Sequence, residues 1–303
     1  MPHLHKALSL PAIIPKLTTM DIYKQIETEV LLRNSSPIAD FENLSPINFH
    51  YIIYDTYNEN SPVHFNKNID NDTLDKVSLL RVAEDFIRII EREKFIKLTP
   101  LGALPKKVIV ELYDKKYILD ERIESGITKL WKEQDCIAIM NTKIVMELAG
   151  ITKKQKGKLT LTKKGTLFLK PENRQGFFEL FISTFADNFN WGFNDYYPEE
   201  PIGQKGWTFT IYLLGKFGMS YKKESFYAEK YLKAFPDFLE EFKNDAFGLS
   251  IEQFISCYGA RTFERFMEWF GLVEIERENG KFWSTKQNVK ATGILTKIFN
   301  IDL

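Results

Sequence analysis

Ile151-Thr152-Lys153-Lys154-Gln155-Lys156-Gly157-Lys158-Leu159-Thr160-Leu161-Thr162-Lys163-Lys164-Gly165 reads as a β-hairpin that runs directly into a helix. Ile151–Lys154 forms one arm and Lys156-Gly157 the turn. Lys158–Thr162 returns, with Leu159 and Leu161 alternating against Lys158, Thr160 and Thr162, the period of a strand with one buried face. Thr162 is placed to cap the following helix, because its hydroxyl accepts an orphan backbone N–H. Leu98-Thr99-Pro100-Leu101-Gly102 repeats the Leu-Thr-x-x-Gly form, and Phe282-Trp283-Ser284-Thr285 closes a third candidate hairpin. Helices, a small hairpin and a Thr-started helix, in that order, are the grammar of a winged helix-turn-helix.

Upstream of the hairpin, Leu79, Val82, Ala83, Phe86, Ile87, Ile89 and Ile90 recur at the spacing of an amphipathic helix. A strand over Phe95–Leu98 and a helix opened by Pro105 follow. Further helical runs are predicted over Ile118–Trp131 and Ile137–Leu148, the latter ended by Gly150 as a C-terminal cap. Downstream, a Phe-rich helix is predicted over 173–190, then helices over Trp207–Phe217 and Phe226–Phe235. Ser250 caps Ile251–Tyr258, Gly259 is expected to turn the chain, and Ala260–Phe270 takes the place of a recognition helix. Leu272–Glu276, Glu278-Asn279-Gly280 and Lys281–Thr285 then make a last hairpin, Asn-Gly being a strong turn signal. The reading is a mainly α chain (α+β with small hairpins) carrying tandem winged-helix-like elements. It divides into a loop-rich arm (1–72), a helical unit with winged-helix-like hairpins (73–190) and a helical unit ending in a winged-helix-like element (191–303). Residues 1–20, with three prolines and little periodicity, are expected to pack little, and Met20-Asp21-Ile22 also fits a natural start.

Composition bounds the function classes. The 303 residues are 44% hydrophobic and 27% charged, ordinary for a globular protein. Lys+Arg and Asp+Glu both number 41, so any basic site must be local. Cys136 and Cys257 lack metal-ligand spacing and read as buried thiols in a reducing compartment. Without a good signal peptide or an apolar run of about 20 residues, a cytoplasmic protein without membrane contact is expected. No glycine-rich phosphate loop or zinc pattern occurs, and His3, His5, His50 and His64 are scattered, so no metal or cofactor is expected.

Lys97-Leu98-Thr99-Pro100-Leu101-Gly102-Ala103-Leu104-Pro105-Lys106-Lys107, together with Leu159–Gly165 and Phe189-Asn190-Trp191, resembles an uncharacterised bacterial helical family. Some of its members follow a domain of the kind first described as a plasmid open reading frame. The resemblance covers roughly residues 40–240 and implies a fold rather than an activity, with no catalytic residue to carry over. Gly102-Ala103-Leu104-Pro105 stands where the family pattern has Gly-Asn-Leu-Pro.

Two stretches carry candidate sites. Lys153, Lys154, Lys156, Lys158, Lys163, Lys164 and Lys170 fall in a span without Asp or Glu. The first six are the candidate nucleic-acid contacts, since a wing hairpin touches phosphates. The competing reading is a solvated edge whose lysines block unwanted strand pairing. Glu274, Glu276 and Glu278 make the last hairpin a poor phosphate partner. The segment 187–200 interleaves aromatics with Asn and acids, so Asp187, Asn190, Trp191, Asn194, Asp195 and Tyr196 are candidate pocket residues. Amphipathic Trp and Tyr equally suit a partly buried connection. The expectation is a non-enzymatic binding or scaffold protein, whose partner is another protein, a second copy or DNA. The alternative is a hydrolase or other small-molecule enzyme centred on Asp187–Glu200.

Overall fold

The hairpin at 152–161 closes a three-stranded sheet. In the computed structural model, which describes residues 19–193, 195–242, 250–277 and 287–303, the chain is mainly helical, with small antiparallel sheets. Helices α1 (Thr19–Ser35) and α2 (Pro46–Tyr54) and strand β1 (Val63–Phe65) come first. Ser45 caps α2 by accepting from Asn48 N, and Pro46 occupies its first turn, where no N–H is needed. A single turn α3 (Asn71–Leu74) leads to α4 (Ser78–Glu93), whose apolar stripe from Leu79 to Ile90 is buried. Then follow β2 (Ile96–Lys97), α5 (Lys106–Tyr113), the single turn α6 (Glu121–Glu124), α7 (Ile137–Leu148), β3 (Thr152–Gln155), β4 (Lys158–Leu161) and α8 (Lys163–Leu167). β4 lies between β2 and β3.

After α9 (Arg174–Asp187) the same order recurs. It runs through α10 (Trp207–Phe217), β5 (Lys222–Lys223), α11 (Glu224–Ala234) and α12 (Ser250–Gly259), which continues as a π-helical segment, Ala260–Met267. It ends with β6 (Val273–Arg277), β7 (Gln287–Ala291), α13 (Gly293–Ile298) and β8 (Phe299–Ile301). Here β7 lies between β5 and β6, so in both units the early short strand pairs with the last strand of the hairpin. The closures also match. Thr162 N donates to Ile151 O and Thr292 N to Leu272 O, both at 3.0 Å. Their hydroxyls donate to Gly150 O (2.7 Å) and Gly271 O (2.6 Å), across glycines at φ +67° and +70°. The same oxygens accept from the first turns of α8 and α13.

The two Leu-Thr-x-x-Gly phrases are therefore different structures. At Leu98–Gly102 the phrase is a turn: Gly102 N donates to Thr99 O, Thr99 Oγ1 accepts from Ala103 N, and Gly102 sits at φ +78°. Gly165 is instead in the first turn of α8, where a Cβ would fall 2.1 Å from Ile151 O. The counterpart of Thr162 is Thr292, not Thr285; the stretch Glu278–Thr285 lies outside the described residues, as do residues 1–18. The helix expected over Ile118–Trp131 shrinks to α6, because Gly126 (φ +77°) ends it and Thr128 N turns back to Arg122 O at 2.7 Å. Gly259 does not turn the chain: it is helical, at φ −63°.

One core joins these parts. Leu44, Phe49, Ile52 and Val63 of the N-terminal stretch pack into the same cluster as Phe86, Phe178 and Phe266. β1 pairs antiparallel with the C-terminal β8, Val63 opposite Ile301. Glu42 accepts from both Lys216 and Lys230 of the second unit. Arg174 at the start of α9 ties back to Glu84 and Asp75.

Leu159 is fully buried, whereas Leu161 is half-buried at the sheet end and Thr160 lies on the opposite face. Leu159→Ala is expected to cost about 2–4 kcal/mol in urea unfolding, as a large-to-small core change. Thr160→Ala is expected to cost under about 0.5 kcal/mol. Equal losses at the two positions would remove the inward assignment of Leu159.

Candidate functional site

The basic hairpin is built by register. β4 pairs Lys158 with Lys97 of β2 and with Gln155 of β3, so these three share the outer face, which Lys153 and Thr160 continue. Ile96, Leu159 and Lys154 form the inner row, and there Lys154 escapes burial by reaching over the Gly102 turn. A Cβ at Gly102 would fall 2.2 Å from Lys154 Nζ. Lys156 sits at the tip with φ +50°, beside Gly157 at +71°.

Lys97, Lys153, Lys154, Lys156, Lys158, Lys163, Lys164 and Lys170 are all exposed. Among the described residues, none of these lysines forms an ion pair. Lys164 Nζ donates to Ala149 O at 3.1 Å, closing the end of α7, and Lys158 Nζ lies 3.9 Å from the Phe95 ring centroid. Lys97, which the sequence reading left out, belongs to this surface. Its signal was present in the pairing-competent Ile96-Lys97, but which strand β2 joins is a tertiary fact. The second hairpin differs. Lys290 pairs with Glu274 at 2.8 Å, Asn288 donates to Glu276, and Arg277 donates to both oxygens of Glu268.

Helix α7 precedes the basic hairpin and is enclosed. Ala138 to Lys143, Val145 and Met146 are buried. Lys143 Nζ donates to both oxygens of Glu133 (2.8 and 3.0 Å) and to Gly102 O, while Glu133 also accepts from Leu104 N. The Leu-Thr-Pro-Leu-Gly turn is thus held against α7 by a buried ion pair.

The segment 187–200 turns Trp191 and Asp195 inward, while Asp187, Asn188, Asn190, Tyr196, Glu199 and Glu200 are exposed. Trp191 is buried and its indole N–H donates to Phe185 O at 2.9 Å. Asp195 is buried against Arg261, accepting from Nε and Nη2, while Arg261 also donates to Pro198 O and Glu200 O. Tyr196 points to solvent at φ +65°, and Asn194 lies outside the described residues. Asp187 and Asn190 line an open cavity of about 630 Å³, with Tyr57, Gln204, Lys205 and Trp207. Asp187 accepts from Tyr57 Oη (2.5 Å) and Trp207 Nε1 (3.3 Å). Asp187 is exposed as a residue, and the partial desolvation of its carboxyl at the cavity wall raises it above the usual range, while these two donors oppose the shift. Tyr57 is distant in sequence and gave no signal there.

Other reactive groups are quiet. Burial pushes the Cys136 thiol up to about 11 and Cys257 to about 12, so both stay protonated. Among the described residues no group of three or more His, Cys, Asp or Glu could hold a metal ion, and no helix is long and apolar enough to cross a membrane.

Glu224, at the start of α11, is buried over Gly259, where a Cβ would fall 1.8 Å from Oε1. Its pKa is pushed up to about 8 by burial and by the neighbouring Glu264. Folding therefore takes up a proton here. The contribution of Glu224 to stability is complete below its ordinary pKa of 4.5 and is lost as pH rises through about 8. Glu224→Gln is expected to raise the urea midpoint at pH 8 and to change it little at pH 4; equal shifts at both pH values would contradict the titration.

Residues 75–175 match the model of the Y4jL N-terminal domain family, a stretch that contains the first unit and ends just inside α9. No curated protein and no solved structure matches the chain significantly. About a third of the chain is thus similar to the Y4jL N-terminal domain.

Proposed function

We propose that the chain is a non-enzymatic binding protein made of two winged-helix-like units, and that its first hairpin contacts the phosphate backbone of a nucleic acid. The observation that carries this reading is the set of exposed lysines without ion pairs on a hairpin of a chain with no net charge. Phosphates supply the missing partners, and each one neutralised releases counterions. In the described part of the second hairpin the charges are paired instead, Lys290 with Glu274 and Arg277 with Glu268. The winged-helix reading is supported by the helix–strand–helix–helix–hairpin order and by the first strand joining the last in each unit. Because α7 is enclosed, the contact is to backbone and carries no base readout. Two buried, protonated thiols suit a reducing, cytoplasmic setting.

Binding to a labelled DNA duplex is expected to weaken with salt at a log–log slope of roughly −3, for three or four phosphates. Changing Lys154, Lys156 and Lys158 together to Ala is expected to flatten the slope while stability is retained. No binding at low salt, or binding indifferent to the triple change, overturns the nucleic-acid reading in favour of a protein partner or self-association.

A second reading, a hydrolase or other small-molecule enzyme, has one observation in its favour: the exposed Asp187 carboxyl, raised by partial desolvation, lines a cavity. Asp187→Asn removes the only charge of that carboxyl while keeping its size. Turnover of an ester or glycoside panel that this variant abolishes would replace the binding reading; the binding reading expects no turnover by either protein.

A further inference from the structure

A second cavity, of about 700 Å³, lies between the two units, where the α5–α7 connection faces the π-helical segment. Ile118, Leu119, Ile137 and Trp269 give it apolar walls. The acids around it are already engaged. Asp120 accepts from Arg122 at 2.8 Å, Glu124 from Lys116 and Tyr113, Glu268 from both ends of the Arg277 fork, and Glu264 from Gln287. Glu121 likewise has a partner.

Arg265 does not. This half-buried guanidinium lines the cavity, donates to no acceptor among the described residues, and has Nη1 buried without a partner. A buried donor left unpaired carries its full desolvation cost, so such a group in a native fold points to an acceptor that arrives from outside. An acceptor reaching it through this cavity passes Trp269 and Ile137, surfaces that favour an apolar body.

We infer that the cavity between the units binds a small organic carboxylate with an apolar or aromatic body, and that Arg265 is the partner of its charge. A bidentate guanidinium–carboxylate contact fits the planar fork of Arg and supplies the missing acceptors. The site is separate from the basic hairpin, so its test does not depend on nucleic-acid binding.

Isothermal titration of the full chain with 1-naphthoate and with the neutral 1-naphthylmethanol tests this. The expected result is saturable one-to-one binding with at least tenfold preference for naphthoate. Arg265→Gln is expected to reduce that preference to none while leaving the weaker affinity for the alcohol unchanged. Arg265→Met without ligand is expected to melt no lower than the parent, because it removes a buried donor that has no acceptor. Four results would overturn the inference: no saturable binding of naphthoate, no preference over the alcohol, a preference that survives Arg265→Gln, or loss of both ligands in that variant. The last is the signature of a merely structural role.

Discussion

The fully buried Arg261–Asp195 pair is the constraint on which the second half of the structure depends. A guanidinium withdrawn from water is tenable only when its donors are met, and here they are. Nε and Nη2 donate to the two Asp195 oxygens, Nη1 to Glu200 O, and Nη2 also to Pro198 O. Such a pair contributes little net stability against an apolar pair of the same size, but removing one partner costs about 3–5 kcal/mol. Its effect is positional. It pins the 195–200 loop to the π-helical segment, beside Gly192, where a Cβ would meet Nη2 at 2.8 Å. That fixes Trp191 on Phe266, ring centroids 4.5 Å apart, and Phe185 stacked on the same ring at 5.6 Å. The run of aromatics, Asn and acids that looks most like a site is in large part the fastening of α9 to the second unit.

The first unit uses the same device with different residues. Lys143 on α7 holds Glu133 and the carbonyl of Gly102, as Arg261 holds Asp195 and the carbonyls of Pro198 and Glu200. In both units a buried cation on the helix before the hairpin fixes a loop that the chain has already laid down. The consequence for function is direct. Helix α7 packs Asn141, Thr142 and Lys143 inward, so it has few polar side chains to present to a groove.

Much of the fold was legible because it is local. The stripe of α4 from Leu79 to Ile90, the Ser45 and Thr162 caps, the Gly150 stop and the 158–161 alternation each follow from a few neighbouring residues. The misreadings come from long-range causes. Gly259 looks like a turn, yet the helix runs through it because the Glu224 carboxyl, 35 positions away in sequence, occupies the space of its missing side chain. The helix foreseen over Ile118–Trp131 is cut to the single turn α6 by Gly126, and of its apolar residues Ile123 reaches the core from that turn while Ile118 and Leu130 reach it from the flanking loops. β5 and β8 are too short to show a period, and they exist because β7 and β1 offer unpaired edges. At the sites, the lysines of the hairpin were readable as a composition shift. The cavity that Asp187 and Asn190 share with Tyr57, and the Arg265 cavity, arise from pairings between distant elements that no spacing encodes.

The equal totals of acidic and basic residues conceal an uneven distribution, and the distribution is what bears on function. Among the described residues, Lys290 of the second hairpin pairs with Glu274, Glu42 of the arm with Lys230, and Arg174 at the start of α9 with Glu84. At the 152–161 hairpin the chain does the reverse, placing lysines on both faces and at the tip without a carboxylate partner among the described residues. At physiological salt, fields between exposed charges fade over about 8 Å, so acids farther off than that offset this cluster little. A polyanion approaching the protein meets a local positive surface whose strength is set by the hairpin alone.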